Sequence, residues 1–443
     1  MRTEAEENDV RPQEAHEDTF FTIQDRIPIN AAGHRDQLLR QYSLFGLASM
    51  ALTVDNAWVA LGSSISVSIL NGGPPGIIYG LLVAVFYYSL IGLSLSELAS
   101  SVPTSGGVYH WATVAGGPRW GRVLGFFTGW INFYGWMFSL ASLMQISSNV
   151  AVSMYAVYHL DNYVSKPFHV YIGYILILWS SAIFLIFGNR YVPHTQHVGT
   201  FFVLVGGVVT IIVLAAMPTR HASNHFVWAS FNENNATGWP GEVAFLLGVL
   251  NGAFTIGTPD SVTHMAEEMP QPRKDLLKAI MLQILLGCLL LRGCIVIRHR
   301  RHDGTARRLQ HVSIDQYIRA GHDQHQWYSE PRCSFWAAVH HAWVHLDLLR
   351  WIDTRSLGAI PLGSPTAFLA LAGSFIILTS VSYAIPFTAN MLSGRKYFPK
   401  GPFHLGKAGY PINAFAVLFI VVFDVLFCFR KPDPELIEMS GGY

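Results

Sequence analysis

An apolar stretch that should cross a membrane is interrupted in its middle, and this interruption constrains the fold more than any other feature of the chain. The run Gly241–Ile256 predicts a membrane helix, but Gly257, Thr258 and Pro259 follow it at mid-span. Proline lacks an amide donor and clashes with the preceding turn, so the helix is expected to break there. Unpaired backbone groups are costly in lipid, so such a break persists only where it faces protein, water or a ligand. The stretch therefore predicts a discontinuous helix around a polar solute.

Acidic residues follow this break directly. Asp260 comes next in the chain, and Glu267 and Glu268 precede the basic segment 272–278, which predicts a cytoplasmic exit. Ionisable side chains inside a membrane span are candidates for function. We therefore regard Asp260, Glu267 and the intervening His264 as candidates for proton coupling.

The composition places the chain in a membrane. Of its 443 residues, 51% are apolar and 13% are charged, whereas about a quarter are charged in ordinary soluble domains. We predict an all-α polytopic protein whose surroundings are the lipid bilayer. A net charge of +1 gives no reason to expect nucleic acid as a partner. The sequence has no CxxC pair, nucleophile elbow, HExxH motif or phosphate loop, so we expect neither an enzyme, a bound metal nor a cofactor.

The first span also carries polar residues at an unfavourable depth. It extends from about residue 43 to 70, and Asp55 and Asn56 lie in its middle. Such residues are functional candidates by default. The alternative is that Asn56 only forms a hydrogen bond with a neighbouring helix, and the sequence leaves both interpretations open.

Two motifs resemble a known family. The order of broken apolar span, Ala266-Glu267-Glu268, Pro272-Arg273 and a basic helix start resembles the sixth helix of the amino acid-polyamine-organocation transporters. The branch of fungal amino acid, choline and GABA permeases is the most similar. The run ELASSVPTSGGVYHW, which begins at Glu97, resembles the end of the second helix of that family. The resemblance covers residues 42 to 291 and 357 to 428. It implies an inverted-repeat fold whose first and sixth helices are both discontinuous and face each other.

The resemblance also implies a function and a site. Complete relatives are proton-coupled symporters that carry amino acids or related amines, such as GABA or choline, by alternating access. Main-chain groups of the two interrupted helices would bind the substrate, and Phe254 would cover it as a gate. An ammonium group would suit the faces of Trp58 or Phe254, at about 0.5–2 kcal/mol. The residues placed at the substrate are Asn56, Ala57, Trp58, Phe254, Thr255, Ile256, Gly257 and Thr258.

Proton coupling requires a titratable group. Some relatives use a lysine in the fifth span, and this chain has none there. Asp55 and Asp260 are therefore candidates together with Glu267, which we place first because it belongs to the acidic motif. Glu97 has two interpretations: it pairs with an arginine across the cytoplasmic gate, or it lies at a solvated helix end.

Further spans are predicted at 77–99, 123–157, 170–187 and 198–216. Arg119, Arg122 and Arg190 lie in loops expected inside. The loop 218–240 contains the sequon at Asn235, a glycosylation site expected outside.

The third span of the chain, 123–157, contains small and polar residues among aromatic ones. Small-residue stripes in membrane helices are usually packing faces. We therefore expect packing for Asn132 and Gln145, and we place Tyr134 at the wall of the substrate pocket.

The segment 292–356 differs from both of its flanks. From Arg292 to Arg355 it has ten arginines, eight histidines and no lysine. One interpretation is a polar insertion, whose histidines have HxxH and HxxxH spacings that suit a metal. The favoured one is a retained intron or a frameshift that is translated in the wrong frame. The histidines with those spacings are His299, His302, His322, His325, His341 and His345.

We predict a disordered cytoplasmic tail at 1–41, a transporter core with seven spans at 42–291, the aberrant segment at 292–356, two last spans within 357–429, and a polar tail at 430–443. The last spans, about 365–386 and 412–429, resemble the tenth and eleventh helices of the family. About eight or nine spans result, where the family has twelve. The alternative function is a non-functional truncated paralogue or a transporter-like nutrient sensor. We expect the plasma membrane rather than the vacuolar membrane.

Overall fold

The computed structural model of the protein describes residues 20–21, 28–29, 43–159, 163–188, 191–216, 225, 228–231, 239–299 and 367–428. Arg190, Asn235 and the segment 300–366 lie outside the described residues. The glycosylation site, the metal hypothesis and the wrong-frame hypothesis therefore stay predictions. In the region expected to be a tail, β1 (Phe20–Phe21) pairs antiparallel with β2 (Pro28–Ile29).

The described part is otherwise a bundle of helices. Eight of its helical stretches are long and apolar enough to cross a membrane, which confirms the prediction of an all-α polytopic membrane protein. The helices are α1 Leu44–Asp55, α2 Ala57–Ser63, α3 Ile65–Ser101, α4 Gly107–Tyr158, α5 Pro167–Gly188, α6 Val192–Ala216, α7 Gly241–Ile256, α8 Pro272–His299, α9 Ala367–Leu392 and α10 Gly409–Cys428. A 3-10 helix at Ser261–Glu268 follows α7.

Glycine kinks mark two boundaries that the sequence predicted as turns or loops. Gly73 in α3 has φ 67° and Gly117 in α4 has φ 62°, and prolines follow both. Glycine adopts positive φ without a steric penalty. Each kink therefore separates two helical segments, and the segments after Gly73 and Gly117 begin close to the predicted starts of the second and third spans.

The two interrupted helices lie at the centre of the bundle. In the most apolar window of each span, 82% of residues are buried for Leu44–Ser63 and 72% for Gly241–Glu268. The corresponding fractions are 22% for Pro167–Gly188 and 33% for His194–Val213. Apolar residues exposed on α5 and α6 therefore face the lipid, while the breaks are surrounded by protein.

The last of the seven spans predicted for the core lies in the helix α8, which packs against α3 and α1. Leu276, Ile280 and Ile284 are buried at helical spacing along one stripe, as expected for the core-facing side of an amphipathic helix. Gly92 permits this packing, because a Cβ there would lie 2.9 Å from Ile284 Cδ1. The side of α8 that faces the first break also carries the polar Gln283.

Candidate functional site

The first break is a single residue in the left-handed conformation. Asn56, with φ 30° and ψ 54°, separates α1 from α2, and asparagine tolerates this region better than most residues do. Its carbonyl oxygen accepts the amides of Val59 and Ala60, at 3.1 Å each. The amides of Ala57 and Trp58 lie in the first turn, where a helix offers no acceptor. The Asn56 side chain does not cap them.

The side chain of Asn56 is buried without a hydrogen bond. It is 0% exposed, and neither its Oδ1 nor its Nδ2 has a partner among the described residues. An unsatisfied buried polar group costs about 1–3 kcal/mol. The alternative interpretation was that Asn56 forms a hydrogen bond with a neighbouring helix. In the described part of the chain, its side chain forms no such bond. The arrangement suits an occupant that brings its own donors and acceptors.

The second break, Gly257–Asp260, is longer. Helix α7 ends at Ile256, and the chain resumes as the 3-10 helix at Ser261. Glycine is required sterically at its first residue: a Cβ on Gly257 would lie 2.5 Å from Ile376 Cδ1 and 2.7 Å from the Ala253 carbonyl oxygen. The break thus lies close to α9 as well as to its own helix.

The two breaks lie within hydrogen-bonding distance of each other. Thr258 Oγ1 donates to Asp55 Oδ1 over 2.9 Å. From α8, Gln283 Nε2 donates to the Thr258 carbonyl and hydroxyl oxygens, at 3.2 and 3.0 Å. Asp55 Oδ2 has no hydrogen-bond partner in the described part. Of the predicted site residues, Asp55, Asn56 and Thr258 are therefore brought together.

The remaining predicted substrate residues are buried on α7. Phe254 packs edge-to-face against Phe375, with ring centroids 6.1 Å apart. The Thr255 hydroxyl donates to the Asn251 carbonyl over 2.7 Å, so the helix satisfies it locally. Ile256 is 0% exposed. The side chain of Trp58 lies outside the described part.

Asp260 anchors a polar cluster that joins the second break to α4 and α9. Its Oδ1 accepts from Tyr383 Oη at 2.6 Å. Its Oδ2 lies 3.3 Å from Asn132 Nδ2, 3.4 Å from Trp136 Nε1 and 3.8 Å from His264 Nε2. We call these five residues the Asp260 cluster. Every oxygen of this buried carboxyl group is thereby satisfied.

One expectation for α4 is wrong. Asn132 was expected on a packing face, and it is 3% exposed and donates to Asp260 and to Ser382 of α9. Tyr134 was placed at the pocket wall, yet it is 45% exposed and stacks on Trp130 at 5.8 Å. The physical reason is the rotation of α4 about its axis, which composition alone does not fix.

Glu267 lies at the end of the bundle. It is seven residues beyond Asp260, or about 14 Å along a 3-10 helix. Glu267 Oε1 accepts from Ser105 N at 3.3 Å and from Ser105 Oγ at 2.8 Å. His264 Nδ1 lies 2.8 Å from the Ser105 carbonyl oxygen. Glu267 thus holds the loop after α3 and does not reach the first break.

Comparison with known proteins identifies the family. The sequence profile of the amino acid permease family matches residues 42–296. The chain belongs to this family. This confirms the resemblance to the amino acid-polyamine-organocation superfamily and its fungal permease branch.

Curated relatives of the permease are transporters. It is 28% identical to the choline transporter of Saccharomyces cerevisiae, over 93% of this chain and 80% of the relative. It is 24% identical to the amino-acid permease BAT1 of Arabidopsis thaliana, over 95% of this chain and 92% of the relative. The 7-keto 8-aminopelargonic acid transporter of Saccharomyces cerevisiae is 26% identical over 56% of this chain and 51% of the relative. The permease is thus an integral membrane protein whose relatives are transporters and not enzymes.

At the end of α3, Glu97 of the permease forms an ion pair, which was one of the two open interpretations. Its Oε1 accepts from Arg395, from His404 Nδ1 at 2.9 Å and from the Leu405 amide at 2.8 Å. Arg395 has φ 60°, a conformation rarely adopted by a residue with a side chain. The loop between α9 and α10 thereby closes over α3.

Several residues near the breaks were missed. Tyr88 of α3 is fully buried, its hydroxyl has no hydrogen bond in the described part, and it lies 3.3 Å from where a Cβ on Gly257 would be. Gln283 and Asp424 interrupt apolar runs and could have been noticed for that reason. Tyr88 and Tyr383 gave no signal, because aromatic residues are common throughout these helices.

Proposed function

We propose that this permease carries a small amino acid or a related amine, such as GABA or choline, by proton-coupled secondary active transport. The substrate would lie between the first and second breaks. Backbone groups of Asn56, Ala57 and Trp58 would bind one end, and those of 255–258 would bind the other, with Phe254 as the gate.

The observation that carries this proposal is the buried, unpaired amide of Asn56 beside a second interrupted helix. A helix N-terminus attracts negative charge, and a helix C-terminus attracts positive charge. The first break presents the N-terminus of α2, which suits a carboxylate. The second break presents the C-terminus of α7, which suits an ammonium group. A zwitterion would use both ends, whereas choline would use only the second.

The relatives support this substrate class. A yeast choline transporter and a plant amino-acid permease both align over most of this chain. Choline carries a quaternary ammonium group, and amino acids carry a primary one. A positively charged ammonium group is therefore common to both. An ammonium group beside Phe254 would gain about 0.5–2 kcal/mol from the aromatic face.

The four carboxylates assigned to coupling or gating lie in two places. Asp55 and Asp260 lie at the breaks, while Glu267 and Glu97 hold loops at the predicted cytoplasmic end. We assign the coupling role to Asp55, because its Oδ2 is unpaired beside the substrate site. Glu97 and Glu267 would close the cytoplasmic gate, which must open for alternating access.

The test is uptake by cells that express the tagged chain at the plasma membrane, where we propose that it resides. Labelled choline, GABA and amino acids are offered singly and in competition, with and without a protonophore. Uptake of one class that the protonophore abolishes supports the proposal. Surface expression without uptake of any of these compounds would instead support a sensor or a non-functional copy.

Two asparagine variants make the test specific to the site. Asn56→Gly removes the unpaired amide while keeping the left-handed backbone accessible. Asn413→Ala changes another buried asparagine, in the first turns of α10. We expect Asn56→Gly to take up much less substrate than the wild type at low substrate concentration and Asn413→Ala to take up as much as the wild type. Equal uptake by both variants would contradict the assigned site.

A further inference from the structure

A second carboxyl group lies in the membrane away from both breaks. Asp424 is the one acidic residue in the sequence of α10, and it is 7% exposed. It follows the start of the helix by fifteen residues, or about 22 Å. None of the ion pairs formed by the described residues includes it. A carboxyl group at this depth requires compensation.

Its hydrogen bonds do not provide enough protons for a carboxylate. Ser380 Oγ lies 2.8 Å from Asp424 Oδ1 and 2.9 Å from Oδ2. The same hydroxyl lies 2.6 Å from the Ile376 carbonyl oxygen and 3.1 Å from that of Ile377. A serine hydroxyl has one proton to donate. The two carbonyl oxygens also accept amides within the helix α9, whereas the two Asp424 oxygens share this one hydroxyl as their donor among the described residues.

One added cation resolves this competition. With a proton on Asp424, the carboxyl group donates to Ser380 and Ser380 donates to the Ile376 carbonyl. A sodium ion bound by the carboxylate and serine oxygens would have the same effect, because the Ser380 hydroxyl could then donate to the Ile376 carbonyl oxygen. Without either cation, at least one oxygen of a buried carboxylate has no donor.

Tyr88 adds an independent observation on the α3 side. Its side chain is fully buried, and its hydroxyl has no hydrogen-bond partner in the described part. The Tyr88 ring lies 4.6 Å from that of Tyr87, which stacks at 4.9 Å on Phe423, the neighbour of Asp424. On its other side Tyr88 approaches Gly257.

We propose that Asp424 and Ser380 form a binding site for one monovalent cation, H⁺ or Na⁺, outside the substrate site. Tyr88 connects this site to the second break. The proposal of a cation site does not depend on the proposed transport function. Only the connection from this site to the second break rests on that function.

Among the residues that the structure describes, the elements packed against α10 place no other compensating charge beside Asp424. The ionisable residues in the sequences of the elements packed against α10 are Tyr79, Tyr87, Tyr88 and Glu97 of α3, Glu242 of α7, Tyr383 of α9 and Lys407 of the 3-10 helix Gly406–Ala408. Glu97 is paired with Arg395 at the end of α3, Glu242 lies in the first turn of α7, and Lys407 precedes α10. Only the three buried tyrosines, Tyr87, Tyr88 and Tyr383, share the depth of Asp424.

The experiment compares Asp424→Asn with Asp260→Asn in the purified full chain in lipid nanodiscs. Asp260 is the matched control, because it is also buried, at 0% exposed, but receives several donors. Infrared spectroscopy in potassium buffer records the carbonyl stretch of protonated carboxylic acids. We expect the wild type to show a carboxylic-acid band that Asp424→Asn loses and Asp260→Asn retains; a protonated Asp55 would give a separate band that both variants keep. Ser380→Ala should shift the same band, which gives a second variant if Asp424→Asn does not fold.

Sodium distinguishes the two cations. If the band persists in sodium chloride, the site holds a proton. If sodium removes the band and the wild type binds ²²Na⁺ that Asp424→Asn does not bind, the site holds sodium. Identical spectra and identical ²²Na⁺ binding for the wild type and Asp424→Asn would overturn the proposal. Neither measurement requires a transported substrate, so failure here is separate from failure of the proposed function.

Discussion

The first and second breaks interrupt neighbouring helices in different ways. The first is one left-handed residue, Asn56, whose side chain has no hydrogen bond in the described part. The second extends over Gly257–Asp260, and its polar side chains are engaged: Thr258 bonds to Asp55, and Asp260 to Tyr383. Hydrogen bonds of its side chains therefore stabilise the second break, whereas at the first break the Asn56 side chain is available to bind a ligand.

This contrast separates stability from binding. Substitutions in the Asp260 cluster should reduce the stability of the fold, because they leave buried donors without acceptors. A substitution of the Asn56 side chain should leave the fold intact, because it removes no hydrogen bond of the described part. Four variants test this division, in order of decreasing expected effect.

The largest effect is expected for Asp260→Ala. Tyr383 and Asn132 lose their common acceptor, together with Trp136 and His264, and each unsatisfied buried group costs about 1–3 kcal/mol. We expect a total of several kcal/mol, seen as a lower melting temperature and less monodisperse protein in detergent. Melting like that of the wild type would show that the second break is not braced by this cluster.

Gly257→Ala should come next. The new methyl group would meet Ile376 and the Ala253 carbonyl at less than 3 Å, and overpacking typically costs about 1–3 kcal/mol. Uptake should be lost together with part of the stability. Gly373→Ala on α9 is the control, because its nearest neighbour would be Leu250 at 3.9 Å. If both variants behave alike, close approach at the second break is not required.

Asn56→Gly should weaken binding without weakening the fold. Glycine adopts φ 30° without strain, and a hydrogen bond to a charged ligand is worth about 1.5–3 kcal/mol. We therefore expect an increase in KM of roughly tenfold or more, measured by uptake at several substrate concentrations. A lower melting temperature with an unchanged KM would assign Asn56 to the structure instead.

The smallest effect is expected for Thr258→Val. It removes the donor to Asp55 while keeping the shape, which should cost about 0.5–1.5 kcal/mol. Thr258→Ser keeps the hydroxyl and should restore the stability of the wild type. Both melting temperatures are compared in the same detergent. Failure of serine to restore stability would mean that packing of the methyl group, and not the hydrogen bond, joins the two breaks.

The breaks were predictable because their causes are local. Proline after Gly257 and Thr258 disfavours a continuous helix, and an Asp-Asn pair within an apolar run is conspicuous. The family motifs then predicted that the two stretches face each other. The bounds of the spans were predictable within several residues, and the kinks at Gly73 and Gly117 fall close to two of the predicted boundaries.

The partners of the polar groups were not predictable, because they depend on helix rotation and on distant segments. Asn132 and Tyr383 meet Asp260 from α4 and α9, more than a hundred residues away in the chain. Glu267 belongs to the most recognisable motif, yet it binds Ser105 at the end of the bundle. Recognisable spacing thus located the site but did not assign the contacts within it.

The most direct test of the account is a cryo-EM map of the purified permease in lipid nanodiscs with the compound that competes best in the uptake panel. The account predicts ligand density bounded by Asn56 on one side and by Gly257 and Thr258 on the other, with both helices interrupted. Continuous helices at these positions, or ligand density elsewhere in the protein, would contradict it.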